Sequence, residues 1–176
     1  NMIISKTGET DIYCTDEYFQ RLKDILSKER NSIMIFGARW PAHISNLEFD
    51  NKEGGGSNDR WHRDFVSVGT YENIQSSFKN EVLELSKNNK IILLYPVPEV
   101  GFDPNKKLYS QWIKRKNKFS QDYNFEYFTT SYQVFLDRNK TSFELLDSVK
   151  GDNIFRVYPH TILCDTIIKD RCITHN

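Results

Sequence analysis

Three short apolar runs, separated by segments of helical periodicity, constrain the fold of this chain most strongly. The runs occupy residues 33–36, 91–95 and 154–157. Apolar runs of this length are typical of strands that are buried on both faces of a sheet. The segments with helical periodicity occupy residues 15–28, 70–89 and 128–149. This alternation of helix and strand predicts an α/β fold with a parallel sheet and helices on both sides.

The sequence also predicts where the helices begin and which residues line them. Thr15 and Thr70 are the expected caps of the first two helices. Apolar residues recur at helical spacing in both: Tyr18, Leu22 and Ile25, then Ile74, Phe78, Val82 and Leu85. The third helical segment is expected to form one helix or two pieces. Two stretches are expected to be loops, residues 41–69 and residues 99–118, the second with a short helix around Leu108, Trp112 and Ile113.

Length and charge exclude several classes of protein. The chain of 176 residues is expected to form a single domain over residues 1–176, since it is long enough to bury a core. Its 24 basic and 24 acidic residues cancel, so charge gives no reason to expect nucleic acid or an anionic membrane surface as partner. No apolar run is long enough to span a bilayer. Because the sequence begins with Asn1 before Met2, we expect either the remnant of a tag or a piece of a longer protein.

Motifs of common catalytic sites are incomplete. The glycine run before Ser57 lacks the lysine of a phosphate-binding loop, so a flexible turn is the simpler interpretation. Ser57, Asp59 and His62 could form a triad, but nucleophile and base usually come from different loops. His160 and His175 are further candidates for a base, although single histidines more often pack or face solvent. We find no complete catalytic set in the 176 residues.

The three cysteines leave two interpretations open. Cys164 and Cys172 are separated by seven residues. This spacing fits a disulfide that closes a small loop, and it equally fits two free thiols. No metal site is expected, because no second Cys/His pair with ligand spacing accompanies them. Cys14 is left over, and its partner would lie outside this chain.

Gly37, Arg39 and Trp40 form the strongest candidate for a binding site. They directly follow the strand at residues 33–36. Open α/β sheets bind ligands beyond the carboxyl ends of their strands. Arg39 supplies a permanent positive charge and Trp40 a large aromatic surface. The alternative interpretation is that Arg39 pairs with a carboxylate and Trp40 packs at the rim of the sheet.

The order of three short motifs gives a resemblance to a known family. The motifs are Ala38-Arg39-Trp40, Pro96-Val97-Pro98-Glu99 and Leu163-Cys164 with Cys172. In this order they resemble the SGNH domain fused to bacterial membrane acyltransferases of the acyltransferase-three type. The resemblance runs from about Cys14 to the end of the chain. It implies a three-layer α/β/α, SGNH-hydrolase-like and flavodoxin-like fold that is incomplete at both ends. An exposed edge or apolar face of the sheet is then expected.

The resemblance implies an activity and specific roles. Members of this family O-acetylate surface polysaccharides such as lipopolysaccharide O-antigen through an acyl-serine. Their Gly-Asp-Ser-His-type and Asp-x-x-His blocks match no residue here, so the nucleophilic serine and the Asp/His pair are not in this chain, and we expect this piece alone to be inactive. Where SGNH hydrolases have Gly-x-Asn, this sequence has Gly37-Ala38-Arg39. Gly37 and Arg39 are therefore candidates for stabilising an oxyanion or holding substrate, and a structural salt bridge of Arg39 is the alternative.

The same resemblance implies partners, location and redox state. The expected partners are a membrane acyltransferase domain in the same chain and a surface polysaccharide or its lipid-linked precursor. No cofactor is expected in this domain, and the acetyl donor of the intact protein would derive from acetyl-CoA. The expected location is the periplasm or the extracytoplasmic face of the bacterial membrane, with Cys164 and Cys172 bonded. Two alternatives are a free-standing SGNH acetylesterase and a non-catalytic glycan-binding module that uses Trp40, Trp61 and Trp112 as exposed stacking surfaces.

Overall fold

The computed structural model describes residues 2–5, 16–44, 52–53, 65–68, 70–100, 104–117 and 128–173. Its elements follow in the order β1 (Met2–Ser5), α1 (Asp16–Leu26), β2 (Ile33–Phe36), α2 (Trp40–Ile44), β3 (Phe65–Val68), α3 (Tyr71–Ser86), β4 (Lys90–Leu94), α4 (Pro104–Asn117), β5 (Thr129–Ser131), α5 (Tyr132–Ser148), β6 (Ile154–Val157), α6 (His160–Leu163) and β7 (Arg171–Ile173). The chain divides into two compact units. The first comprises Asn1–Glu48, Arg60–Val97 and Arg138–Pro159, and the second Phe49–Asp59, Pro98–Asp137 and His160–Asn176.

The first unit contains a three-stranded parallel sheet with the order β2-β4-β6. Ile33 lies opposite Lys90, and Ile91 lies opposite Ile154. All three strands fall on the predicted apolar runs, so the predicted α/β class with a parallel sheet is confirmed. In the same unit, β1 and β3 form a separate antiparallel pair. The prediction of a continuous loop over residues 41–69 is wrong where α2 and β3 form.

The core of the first unit lies on one face of this sheet. Five of its side chains, from β4 and from α3 and α5, are at most 1% exposed: Ile91, Leu93, Val82, Leu145 and Leu146. On the opposite face the apolar side chains of the two outer strands are 45–68% exposed: Ile33, Ile35, Phe155 and Val157. Helices α3 and α5 therefore cover one face. The predicted helices on both sides are not observed over the four exposed side chains of the other face, which is the apolar surface that the resemblance led us to expect.

The helices of the first unit begin close to where the sequence signals place them. Thr70 adopts an extended conformation before α3, and its side-chain oxygen accepts a hydrogen bond from the Asn73 amide at 3.3 Å. Ile74 and Val82 on the predicted apolar face of α3 are buried. Helix α1 also forms as predicted, although its expected cap Thr15 lies outside the described residues. Ile25 on its predicted apolar face is 51% exposed.

The second unit corrects two expectations. Residues 99–118 contain the 14-residue helix α4, which is longer than the predicted short helix and begins at Pro104. Residues 129–131, expected to be helical, form β5, which pairs antiparallel with β7. The Ser131 hydroxyl accepts a hydrogen bond from the Val134 amide at 3.4 Å and so caps α5, which is one continuous helix. Short hydroxyl side chains favour strand ends and helix caps over helix interiors, which explains this difference.

Candidate functional site

Gly37 and Arg39 lie at the carboxyl end of β2, and both are exposed. A Cβ atom at Gly37 would lie 3.1 Å from the Leu94 Cδ2 atom, so the missing side chain lets this corner lie close against β4. The Arg39 carbonyl accepts a hydrogen bond from the Ala42 amide at 3.0 Å, which starts α2. The structure therefore brings a backbone amide and a guanidinium to the expected edge of the sheet. Their role in binding an oxyanion stays a prediction.

Trp40 belongs to the core of the first unit. Its side chain is 7% exposed, and its indole Nε1–H donates to the Leu94 carbonyl at 2.9 Å. Its ring meets the ring of Phe78 edge to face, with 5.4 Å between the centroids. The expectation that Trp40 is exposed for stacking on sugars is wrong. The geometry agrees with the alternative interpretation as a packing residue, and a contact of Trp40 with substrate, beside Gly37 and Arg39, stays a prediction.

A buried tyrosine organises the carboxyl ends of β4 and β6. The Tyr95 amide donates to the Val157 carbonyl at 2.9 Å, which extends the pairing of the two strands by one residue. The Tyr95 hydroxyl donates to a carboxylate oxygen of Asp147 at 2.5 Å and accepts from Nε of Arg156 at 3.2 Å. The ring centroids of Tyr95 and Tyr158 are 4.2 Å apart. One side chain thus ties two strands and helix α5 together.

The electrostatics of this cluster define what Tyr95 can do. Burial, followed by the hydrogen bond to Asp147, raises the pKa of the Tyr95 hydroxyl well above its usual value. The hydroxyl therefore stays protonated at neutral pH and serves as a hydrogen-bond bridge rather than as a base or nucleophile. Sequence reasoning missed this residue. The signal was a tyrosine at the end of an apolar run, directly before Pro96.

The second unit contains the predicted disulfide. Cys164 and Cys172 are bonded, which confirms that prediction. Next to it on β7, the Arg171 guanidinium forms an ion pair with Glu53 and also donates from Nε to the Thr129 hydroxyl at 3.1 Å. The hydrogen bond from Arg171 holds the pKa of the Glu53 carboxyl below its usual value. These contacts fix the β5–β7 pair around the disulfide.

His160 lies inside the second unit and is 8% exposed. Its ring centroid is 5.6 Å from that of Phe135 and 6.3 Å from that of Tyr132. Burial lowers the pKa of its imidazole, so the neutral form dominates at pH 7. Packing accounts for this position, and its role as a base stays a prediction. Five other residues weighed in the sequence lie outside the described residues: Cys14, Ser57, Asp59, His62 and His175.

Neither a metal centre nor a membrane-spanning helix is found in the ranges that the structure describes. Across these ranges, no group of three or more His, Cys, Asp or Glu side chains is placed to hold a metal ion. None of the helices in the part of the chain that the structure describes has the length and apolarity to cross a bilayer.

The parallel sheet and its crossover helices define an α/β domain, with Gly37 and Arg39 exposed at the carboxyl edge of the sheet. The family model "SGNH domain (fused to AT3 domains)" matches residues 2–176. The chain therefore belongs to this family of SGNH domains, and the description of the family implies fusion to an acyltransferase-three domain. No match to the chain was found among curated proteins or among solved structures.

Proposed function

We propose that this chain is the extracytoplasmic SGNH domain of a membrane O-acyltransferase that transfers an acetyl group to a hydroxyl of a surface polysaccharide, such as O-antigen. The family match over residues 2–176 carries this proposal, since it links the domain to acyltransferases. The disulfide between Cys164 and Cys172 supports a periplasmic location, because structural disulfides persist in oxidising compartments. The acyltransferase-three domain would lie in the same chain.

The proposed reaction has two acyl-transfer steps. A serine hydroxyl outside residues 1–176 attacks the carbonyl carbon of an acetyl donor derived from acetyl-CoA. The leaving group of the donor departs with the serine proton, and an acetyl-serine ester remains. A hydroxyl of the polysaccharide, or of its lipid-linked precursor, then attacks this ester and gives up its proton, which restores the serine hydroxyl. Each step passes through a tetrahedral intermediate whose oxygen carries a negative charge.

Gly37 and Arg39 are suited to stabilise that negative oxygen. A backbone N–H and a guanidinium are both donors, and the guanidinium keeps its charge at every physiological pH. Both residues are exposed at the end of β2, so a substrate can reach them without unfolding the core. Loss of one donor of this kind typically lowers kcat by about 10²- to 10³-fold.

The test is Arg39→Ala in the full-length acyltransferase, with acetylation of the polysaccharide measured by mass spectrometry. We expect acetylation to fall by about 10²-fold or more, and Arg39→Lys to retain part of it because the charge remains. Arg21→Ala, at an exposed arginine of α1, is the matched control and should acetylate normally. Normal acetylation by the Arg39→Ala protein, at equal protein amounts, would contradict the oxyanion role.

A second candidate, a glycan-binding module, is favoured by one observation on α4. Tyr109 and Trp112 are 62% and 50% exposed, and their rings stack with 6.0 Å between the centroids and 24° between the planes. Trp112 was among the expected stacking residues, whereas Trp61 lies outside the described residues. Trp112→Ala should then abolish saturable oligosaccharide binding, and Tyr18→Ala, at an exposed aromatic residue of α1, should not. Binding by a full-length protein that acetylates nothing would favour this candidate over the enzyme, and turnover of a chromogenic acetyl ester would favour a free-standing esterase.

A further inference from the structure

Helices α1 and α3 enclose an apolar cleft in the first unit. The cleft has a volume of about 590 Å³, and the apolar part of its wall consists of Phe19, Leu22, Leu26, Phe36 and Leu85. Two carboxylates, Glu81 and Glu84, also line it, and each is paired with a lysine. Volumes of about 300–1,000 Å³ with mostly apolar walls are typical of small-molecule sites. Phe36 is the last residue of β2, so the cleft extends along this outer strand. We call this cavity the apolar cleft.

A second cavity adjoins the apolar cleft where β2 and β4 begin. It has a volume of about 700 Å³, and its walls carry three cations: Arg30, Lys87 and Lys90. No acidic residue among those that the structure describes lines it. Arg30, Asn88 and Asn89 line both cavities, so the two share one wall. We call this second cavity the basic pocket.

The wall between the two cavities is a fixed structure. Asn89 is 4% exposed, and its side-chain amide donates to the carbonyls of Glu29 and Leu85 at 3.1 and 3.0 Å. Its side-chain oxygen accepts a hydrogen bond from the Ser32 amide at 3.1 Å. These bonds hold the turn between α1 and β2. Arg30 lies on this turn, and its guanidinium therefore has a defined position where the apolar cleft meets the basic pocket.

Two of the cations near the wall shared by the cavities form no ion pair with a carboxylate among the described residues. Lys23 pairs with Glu81 at 2.5 Å, and Lys87 pairs with Glu84 at 2.5 Å. Within the described part of the chain, no carboxylate forms an ion pair with Arg30 or Lys90. Arg30 donates from one guanidinium nitrogen to the backbone carbonyls of Ser27 and Glu29, which orients the group without neutralising it.

We propose that the apolar cleft and the basic pocket together bind a long-chain alkyl phosphate. The hydrocarbon chain lies in the cleft, and the phosphate is held by Arg30 and Lys90. An amphiphile fits better than a neutral apolar ligand, because two cations that form no ion pair with a described carboxylate, Arg30 and Lys90, stand at one end of the cleft. The basic pocket lies at the amino ends of the strands, whereas Gly37 and Arg39 lie at the carboxyl end of β2 and line neither cavity, so the phosphate-binding residues are distinct from the residues of the proposed acyl transfer.

The proposal predicts how affinity depends on each part of the ligand. Each methylene that enters an apolar cleft should tighten binding about fourfold, so decyl phosphate should bind about tenfold or more tightly than octyl phosphate. Octyl glucoside has the same chain and no charge, and it should bind at least tenfold more weakly than octyl phosphate. Inorganic phosphate should show no saturable binding in the same range, which distinguishes a lipid phosphate from a free phosphate as the source.

The experiment is calorimetric titration of the purified protein with these four compounds, the three alkyl compounds being kept below their critical micelle concentrations. Arg30→Gln and Lys90→Gln should each weaken octyl phosphate at least fivefold and leave octyl glucoside unchanged. Leu22→Gln should weaken both octyl compounds, and since Leu22 is 38% exposed this variant should fold. Lys150→Gln is the matched control, at an exposed lysine of the same unit that lines neither cavity.

Each result decides the proposal. Tighter binding of decyl phosphate, selectivity for phosphate over glucoside and no effect of Lys150→Gln would support it. Absence of saturable binding by octyl phosphate would overturn it, and so would equal affinity for octyl glucoside. An equal loss in the Lys150→Gln variant would show general electrostatic attraction and would also overturn it. Tight binding of inorganic phosphate alone would mean a phosphate site without the hydrocarbon chain, and it would overturn the proposal as well.

Discussion

Replacement of Tyr95 by phenylalanine tests whether the hydroxyl bridge at the carboxyl ends of β4 and β6 stabilises the domain. Tyr95→Phe removes one oxygen atom and keeps the ring that packs against Tyr158. That oxygen donates to Asp147 at 2.5 Å and accepts from Arg156 at 3.2 Å. Both partners are charged, and hydrogen bonds to charged groups contribute about 1.5–3 kcal/mol each.

The expected loss is smaller than the sum of the two bonds. Asp147 is exposed and Arg156 is half-buried, so water can replace part of what each loses. We therefore expect the free energy of unfolding to fall by about 2 kcal/mol, a large fraction of the total of about 5–15 kcal/mol that holds a domain folded. Equilibrium unfolding in urea, followed by circular dichroism, measures this change when the dependence of the unfolding free energy on urea concentration is the same in both proteins.

The matched control is Tyr109→Phe, which deletes the same atom at a side chain that is 62% exposed. This control should change stability by less than about 0.5 kcal/mol. If the free energy of unfolding of the Tyr95→Phe variant lies within about 0.5 kcal/mol of that of the unmodified protein, the reasoning is refuted. A double-mutant cycle with Asp147→Asn should give a coupling energy of about 0.5–3 kcal/mol, and a value of zero would show that the bond contributes nothing.

Three further predictions concern the disulfide and two titrating groups. Replacing Cys164 and Cys172 together by serine should lower the free energy of unfolding, measured by urea unfolding, by about 2.5 kcal/mol. An unchanged urea concentration at the midpoint of unfolding would contradict this. Stability should fall as pH drops below about 6.5, because burial lowers the pKa of His160; His160→Asn should remove this dependence and exposed His43→Asn should not. Because the pKa of Glu53 is lowered in the folded protein, its ion pair with Arg171 stabilises the fold above about pH 4.5, and this stabilisation is lost as the pH falls below that value. The stabilisation is at most about 1 kcal/mol, because the pair is partly exposed, and Glu53→Gln should abolish it.

Much of the fold could be predicted because its decisive signals are local. The three strands of the parallel sheet are continuous apolar runs, and Thr70 marks the start of α3 with its own side chain. The elements that were missed lack such signals. Helix α2 has five residues and begins at the buried Trp40, and β5 has three residues whose partner β7 lies about 40 residues away. Short elements of this kind depend on tertiary contacts rather than on periodicity.

The candidate site was predictable only in part, for the same reason. Gly37 and Arg39 could be placed at the carboxyl edge because they follow a predicted strand directly. The bridge at Tyr95 could not be found, since its partners Asp147 and Arg156 lie 52 and 61 residues away in the sequence. No spacing rule reaches across such distances. The exposure of Trp40 was wrongly predicted, because a tryptophan beside a binding edge and a tryptophan in a core look alike in sequence.

The exposed apolar face of the parallel sheet can be tested at two neighbouring residues of β2. Met34 is 9% exposed and belongs to the core, whereas Ile35 points to the opposite face and is 68% exposed. Met34→Thr should lower the free energy of unfolding by about 2 kcal/mol or more, because it leaves a cavity and buries a hydroxyl. Ile35→Thr should change it by less than about 0.5 kcal/mol, because threonine suits an exposed strand position. An equally large loss in the Ile35→Thr variant, measured by urea unfolding, would mean that this face is covered in solution, and the expected uncovered surface would then be wrong.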